Sequence, residues 1–371
     1  MANKIPYVNL IKQAQEDKDQ IFNSLNKIFS NGKFILGSEV DKFERKICNF
    51  LKIKNCIALN SGTDALVFGL YLLGVKKGDE VITPPNSFIA STAAIAHIGA
   101  VPIFADVRND QNIDPIDIEK KITKKTKAIM PVHLSGHPCE MNEIKKISKK
   151  YKIPIIEDAA QAIGTRYRNK FVGTFGEIGC FSAHPLKNLN AIGDAGYLVT
   201  NNFQLAKKVR ILRNHGIEKR NKVLTFGYVS RMDAFQASVL NLRFNKLKKI
   251  IKKRRYNASL YCELLKNLKS IILPTEKKHE YNTYHTFTIL AKRRNELKKY
   301  LEKKGISTAI HYPHLIFEQI AYKKRFKKIN LNDLPISKRQ NKKILTLPIN
   351  QFITSQQIKK ISREIRKFYR N

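Results

Sequence analysis

Cys56-Ile57-Ala58-Leu59-Asn60-Ser61-Gly62-Thr63-Asp64-Ala65-Leu66 reads as one β-α unit. Four consecutive apolar residues fit a strand buried on both faces. A turn of small polar residues follows, and the apolar run from 65 to 73 predicts a helix. The same unit recurs downstream. Apolar stretches at 80–83, 101–105, 127–132 and 153–156 alternate with helical patterns at 87–98, 114–122 and 140–151. Short buried strands separated by helices predict an α/β fold, a mostly parallel sheet with helices on both faces. Ligands of such sheets bind at the carboxyl ends of the strands.

Upstream, residues 15–29 form an amphipathic helical segment and Asn31-Gly32-Lys33 a turn. Ser38 is placed to cap a second helix reaching about residue 51, with Glu39 in its first turn. Strands are expected at 179–181 and 197–200, a helix at 201–215, and a long helical run from 232 to 268 that leads out of the sheet. The pattern then changes to strand 285–290, helix 295–304, strand 306–311 and a final helix 356–369. A chain of 371 residues suits two domains. The expected division is a large α/β domain, 1–240, and a smaller C-terminal α+β domain, 241–371.

The net charge is +39, from 69 Lys and Arg against 30 Asp and Glu. The cations are spread along helical faces, as in Lys246-Leu247-Lys248-Lys249, without any zinc-finger, bZIP or RRM signature. That is a solvated Lys-rich surface rather than a nucleic-acid interface, although it would help to attract a diphosphate. The five cysteines are scattered singly, so neither a zinc site nor a disulfide framework is supported and no metal is expected. No long apolar run suggests a membrane span, the N-terminus lacks a signal-peptide core, and a reducing cytoplasm is the expected location.

Four stretches fall where strands end. Ser61-Gly62-Thr63-Asp64 precedes a helix, whose free N–H groups suit a phosphate; a plain N-cap is the alternative. Phe88, after Pro84-Pro85-Asn86-Ser87, is a ring that stacks on a flat cofactor or fills the core. Asp158 ends the apolar stretch Ile155-Ile156 and needs a partner: a pyridinium N–H, or the following turn that it would cap. Gln161 follows within reach of another polar cofactor group. In Phe181-Ser182-Ala183-His184-Pro185-Leu186-Lys187-Asn188-Leu189, Ser182 offers a hydroxyl to phosphate, and Lys187 sits on a loop between two strands, where a Schiff-base lysine would be partly desolvated. Together the four describe a pyridoxal 5'-phosphate site.

The chain resembles the DegT/StrS family of nucleotide-sugar aminotransferases, which share the aspartate-aminotransferase-like fold. The resemblance runs through Gly37-Ser38-Glu39-Val40 with Phe43-Glu44, SGTDAL at 61–66, Gly99–Phe104 with Asp106, PVHLSGH at 131–137, EDAAQAIG at 157–164, FSAHPLKNL at 181–189, Arg213-Asn214-His215-Gly216 and IHYP at 310–313. It implies that Lys187 carries the cofactor and Asp158 faces its ring nitrogen. It implies further that Gln161 approaches the ring hydroxyl, Phe88 stacks, and Gly62, Thr63 and Ser182 hold the phosphate. His184, Arg231, His311 and Tyr312 are the implied substrate contacts. The implied substrates are L-glutamate and a nucleotide-diphosphate keto sugar, and the implied assembly is a homodimer with shared active sites. Gly193-Asp194-Ala195-Gly196 and Ser230-Arg231-Met232-Asp233 resemble members that aminate C3, pointing to a dTDP-linked 3-keto-6-deoxyhexose for surface glycans. The alternatives are a 4-keto sugar nucleotide, UDP- or dTDP-linked, or a basic regulatory protein on the same fold. Two positions depart from the family: Val229, where Asn usually reaches the phosphate of the other subunit, and Phe317, where His is common.

Overall fold

The computed structural model describes residues 4–326 and 333–370. Seven strands make the central sheet: β1 (Asn55–Leu59), β2 (Glu80–Thr83), β3 (Val101–Phe104), β4 (Thr126–Ile129), β5 (Ile156–Asp158), β6 (Ile178–Ser182) and β7 (Gly196–Thr200). Their order is β3-β2-β4-β5-β6-β7-β1, in two ladders joined between β4 and β5. The join consists of single parallel bridges, Ile129 to Ile155 and Val132 to Asp158. There the Asp158 N–H donates to the Pro131 carbonyl at 2.9 Å. Only β7 runs against its neighbours, so the sheet is mostly parallel, as the β-α rhythm predicts.

Alternation along the strands divides the core. Ile57, Leu59 and Leu198 face the helix Gly62–Leu72 with Leu66, Ile95, Ile156 and Val209. Cys56, Ala58, Tyr197 and Val199 face the other side, against Phe43, Ile47, Phe181, Leu240 and Leu247. Each large side chain so buried contributes about 1.5–3 kcal/mol, and helices cover both faces. The buried Glu44 ties one cover to the sheet. It accepts from the Ala58 N–H at 2.9 Å, from Arg213 at 2.8 Å and from Arg210 at 2.9 Å.

The helix Ala234–Leu265 passes from one core to the next. Ala237, Leu240, Leu247 and Ile251 belong to the large core, and Ala258, Tyr261 and Leu265 to the C-terminal one, so position 240/241 falls inside a continuous helix. The C-terminal unit is an antiparallel sheet of Ile271–Ile272, β8 (Phe287–Ala291) and β9 (Ile344–Leu347). The helix Ser355–Arg370 buries Ile358, Ile361 and Ile365 against it. No described helix is long and apolar enough to cross a membrane. All five cysteines are free.

Three local expectations are corrected. Ser38 is the first helical residue, not the cap; Gly37 occupies the cap without a side-chain bond. The strand expected at 153–156 is displaced to β5, because residues 153–155 still lead from the preceding helix to the sheet. Residues 306–311 are not a strand. They make one bridge to Ile5 and one to Thr346, while β9, not foreseen, takes the place beside β8.

Candidate active site

The carboxyl ends of β5 and β6, the start of β7 and the turn after β1 converge. Two glycines permit the closest approach. A Cβ on Gly196 would lie 2.3 Å from the Gly62 nitrogen, and one on Gly62 would lie 2.8 Å from the Ser182 Cβ. The Ser61-Gly62 turn therefore rests directly on β7 and against Ser182. Ser61 is the N-cap, accepting from the Asp64 N–H at 3.1 Å. The first amides of the helix, Gly62 and Thr63, have no intrahelical carbonyl to bond. The Ser61 side chain meets the plain-cap reading, and the two unengaged amides leave the phosphate reading open.

Glu157 and Asp158 alternate across β5. Glu157 points away from the cleft and is fully buried. It accepts from the N–H groups of Gly173 (2.7 Å), Phe175 (2.6 Å) and Gly176 (2.7 Å). It also lies 2.9 Å from His133 Nε2. Since His133 Nδ1 accepts from the Cys139 N–H, Nε2 carries the hydrogen and donates to Glu157. Sequence reasoning missed this acceptor; its signal was a second carboxylate on a buried strand.

Asp158, 5% exposed, has fewer partners. Ser91 Oγ donates to Oδ2 at 2.7 Å and the Ala160 N–H to Oδ1 at 3.1 Å. The turn-capping alternative is therefore real for Oδ1, yet each oxygen keeps an open acceptor position. Burial raises the Asp158 pKa, and the Ser91 hydroxyl, the Ala160 N–H and the nearby Lys187 oppose that rise. Lys187 is half-buried on the loop from Ala183 to Ala195. Burial holds its ammonium down to about 8, against the pull of Asp158. The loop is braced from several sides: the Ala191 N–H donates to the Ala183 carbonyl at 2.8 Å, Asn188 to the Thr283 carbonyl at 3.2 Å, and Arg243 to the Asn190 carbonyl at 3.0 Å.

Phe88 is 53% exposed, which overturns the core alternative. Its ring lies 5.5 Å from that of Tyr312. Gln161 accepts from the Ser135 N–H at 2.7 Å and donates to the Tyr312 hydroxyl at 3.3 Å. Tyr312 thus joins Phe88 and Gln161 over the cleft, and Asp158 adds to the burial that raises its pKa. His311 lies 3.1 Å from Thr346 Oγ1 and 5.6 Å from the Tyr7 ring. Burial, then Lys187, hold it down to about 4. His184 is exposed, and partial burial with Lys187 lowers its pKa. Its Nδ1 accepts from the Leu186 N–H at 3.3 Å.

Arg231 donates to Asn214 at 3.2 Å, while its neighbour Ser230 donates to Asp64 Oδ2 at 2.6 Å, on the helix side of the Ser61 turn. Val229 is 59% exposed beside this turn, on an apolar segment with Val223, Leu224, Phe226 and Tyr228. Phe317 is buried and packs 6.0 Å from Phe104 in a small cluster, so it fills a core where a His would be a polar group.

The residues fit pyridoxal phosphate. A buried, under-bonded carboxylate, a half-buried lysine of lowered pKa, an exposed ring and open helix amides supply a ring-nitrogen partner, an imine-forming amine, a stacking surface and a phosphate cradle.

Residues 15–366 match the model of the DegT/DnrJ/EryC1/StrS aminotransferase family. The chain is 36% identical to a pleiotropic regulatory protein of Geobacillus stearothermophilus, over 99% of both chains. It is 37% identical to the dTDP-3-amino-3,6-dideoxy-alpha-D-galactopyranose transaminase of Aneurinibacillus thermoaerophilus, over 98% of this chain and 99% of that one. Its fold superposes on the crystal structure of Streptomyces venezuelae DesV, solved with a ketimine intermediate, with a TM-score of 0.96 and 33% identity over 99% of each chain. The chain belongs to the DegT/DnrJ/EryC1/StrS family and is a pyridoxal-phosphate-dependent aminotransferase.

Proposed function

We propose that this aminotransferase moves the amino group of L-glutamate to C3 of a keto sugar nucleotide, a dTDP-linked 3-keto-6-deoxyhexose, for surface-glycan synthesis. The observation that carries the chemistry is the pairing of an under-bonded Asp158 with a partly desolvated Lys187 in one cleft. The choice of C3 is supported by the Aneurinibacillus relative, named for a 3-amino product, and by the GDAG and SRMD segments.

In this reading the Gly62 and Thr63 amides and the Ser182 hydroxyl hold the phosphate, and Phe88 stacks on the ring. Gln161 offers its remaining N–H to the ring hydroxyl. Asp158 keeps a proton on the ring nitrogen, so that the bound cofactor serves as an electron sink. Lys187 Nζ would act as the acid and base at the reacting carbons, removing a proton at the donor's α-carbon and delivering one at C3 of the sugar. A lowered pKa suits that task, because the amine must be neutral to accept a proton near neutral pH. His184, His311 and Tyr312 would contact the sugar.

The working unit is a homodimer. The exposed apolar segment Val223–Val229 adjoins the Ser61 turn, and a second subunit would cover it.

The test is amino transfer from L-glutamate to dTDP- and UDP-linked 3-keto and 4-keto sugars. Turnover of the dTDP-3-keto sugar is expected. Turnover confined to a 4-keto sugar would overturn the assignment to C3.

A further inference from the structure

Ser91 and Thr92 are adjacent hydroxyls near the start of the helix Ile89–His97, which Phe88 caps. Both are buried, Ser91 at 0% and Thr92 at 3% exposure. Ala94 and Ile95 anchor this helix in the core beneath the sheet, so neither hydroxyl is free to move. Thr92 Oγ1 has no hydrogen-bond partner. Ser91 Oγ donates to Asp158 Oδ2 at 2.7 Å. A helical serine usually bonds back to a carbonyl of its own preceding turn or turns to water. This one crosses to a strand-end carboxylate 67 residues away.

The bond does two things to Asp158. The Ala160 N–H, which holds Oδ1 at 3.1 Å, comes from the same turn of chain, whereas Ser91 reaches Oδ2 from a separate helix. A donor on each oxygen from two different elements pins the plane of the carboxylate. The second effect is electrostatic. Burial works against the ionised carboxyl; the Ser91 hydroxyl is foremost in opposing it, followed by the Ala160 N–H, with Lys187 and His133 acting in the same direction through space. The other titratable neighbours are Cys180, beside Asp158 in register on β6, and the Tyr312 hydroxyl, both kept in their neutral forms by burial. Asp158 thus has one short side-chain hydrogen bond, and it comes from Ser91.

We propose that Ser91 is a positioning residue for the reaction: its hydroxyl holds the negative charge on Asp158, and through Asp158 it keeps the proton on the ring nitrogen of the cofactor. The proposal rests on the reading that Asp158 faces that nitrogen. One proton lies between the carboxyl group and the ring. A hydrogen bond donated to Oδ2 stabilises the carboxylate and leaves the proton on the nitrogen, where it makes the ring a stronger electron sink. Ser91 is sealed from solvent and touches neither substrate nor cofactor, so its effect passes through Asp158 alone.

The test reconstitutes the cofactor-free protein with pyridoxal phosphate carrying 15N in the ring and follows, by NMR against pH, the midpoint at which that nitrogen loses its proton. In Ser91→Ala the midpoint should fall by about one to two pH units, the worth of one hydrogen bond to a charged group. Thr92→Val removes the neighbouring hydroxyl from the same helix and should keep the wild-type midpoint. Should Ser91→Ala fail to fold, Ser91→Cys decides: a thiol is a weaker donor in the same place, and the midpoint should fall by about half a unit or more. A wild-type midpoint in the folded Ser91 variant overturns the proposal, and so does an equal shift in Thr92→Val, which would mean a general loosening of the helix. Asp158→Asn separates this failure from that of the underlying reading. If Asp158→Asn leaves the nitrogen neutral while Ser91→Ala behaves as wild type, the role of Ser91 falls and Asp158 remains the ring partner. If neither variant moves the midpoint, both fall.

Discussion

Glu157 and Asp158 are adjacent acids on the same buried strand, and they do opposite things. Glu157 faces away from the cleft with four donors on two oxygens. Asp158 faces the cleft with two donors, and burial raises its pKa. Burial alone does not distinguish them, since both are almost inaccessible. Unmet hydrogen-bonding capacity does. A carboxylate with every lone pair engaged is a fastener, and one with open positions is waiting for a partner.

The largest expected effect lies on the open side of this contrast. Lys187→Ala should lower turnover by about 10⁴-fold or more, the upper range for loss of a positioned acid–base group, with the melting temperature of the cofactor-free protein unchanged or raised. Steady-state kinetics beside thermal denaturation checks both halves, and wild-type turnover would remove Lys187 from the chemistry. On the closed side, Glu44→Gln weakens the acceptor of two arginines and one amide. It should cost about 3 kcal/mol of stability, read from urea denaturation, with turnover per folded molecule unchanged.

The titration of Lys187 sharpens the comparison further. Its folded-state pKa, about 8, is below the ordinary 10.5, so the neutral amine grows about tenfold per unit of rising pH up to pH 8 and then levels. The rate at which the cofactor-free protein captures pyridoxal phosphate should follow that curve in stopped-flow absorbance. Between pH 8 and 10.5 the unfolded chain holds the proton that the folded one has lost, so stability rises with pH across that window. Lys187→Met should abolish this part of the rise. The smallest effect is at Val229. Val229→Asn supplies a donor on the segment beside the Ser61 turn, and cofactor affinity should tighten about two- to tenfold, one hydrogen bond's worth. Equilibrium titration with pyridoxal phosphate measures it, and no change would mean that this segment does not reach the phosphate.

The sheet was legible because its signal is local: runs such as Cys56-Ile57-Ala58-Leu59 bury both faces, and the small residues that follow can only turn. Its ends were less so, as at β5, where apolar residues 153–155 belong to the approach rather than the strand. β9 was missed and residues 306–311 misread because their pairing depends on partners far along the chain, Ile5 and β8. In the site, the positions of Lys187, Asp158, Gln161 and Ser182 follow from strand ends. Which of Glu157 and Asp158 faces the cleft depends on the strand's register, and the count of their donors on loops at 173–176 and on Ser91. The roles of Arg231 and Val229 rest on the homodimer proposed above.

The most direct test applies two measurements to one pair of variants, Glu157→Gln and Asp158→Asn: urea denaturation of the cofactor-free protein, and turnover of folded holoenzyme. Glu157→Gln should lose about 3 kcal/mol of stability and keep its turnover per folded molecule. Asp158→Asn should keep its stability and lose about 10³-fold in turnover. If both variants lose the same quantity, or if Asp158→Asn turns over like the wild type, the distinction between the fastened and the waiting carboxylate is wrong.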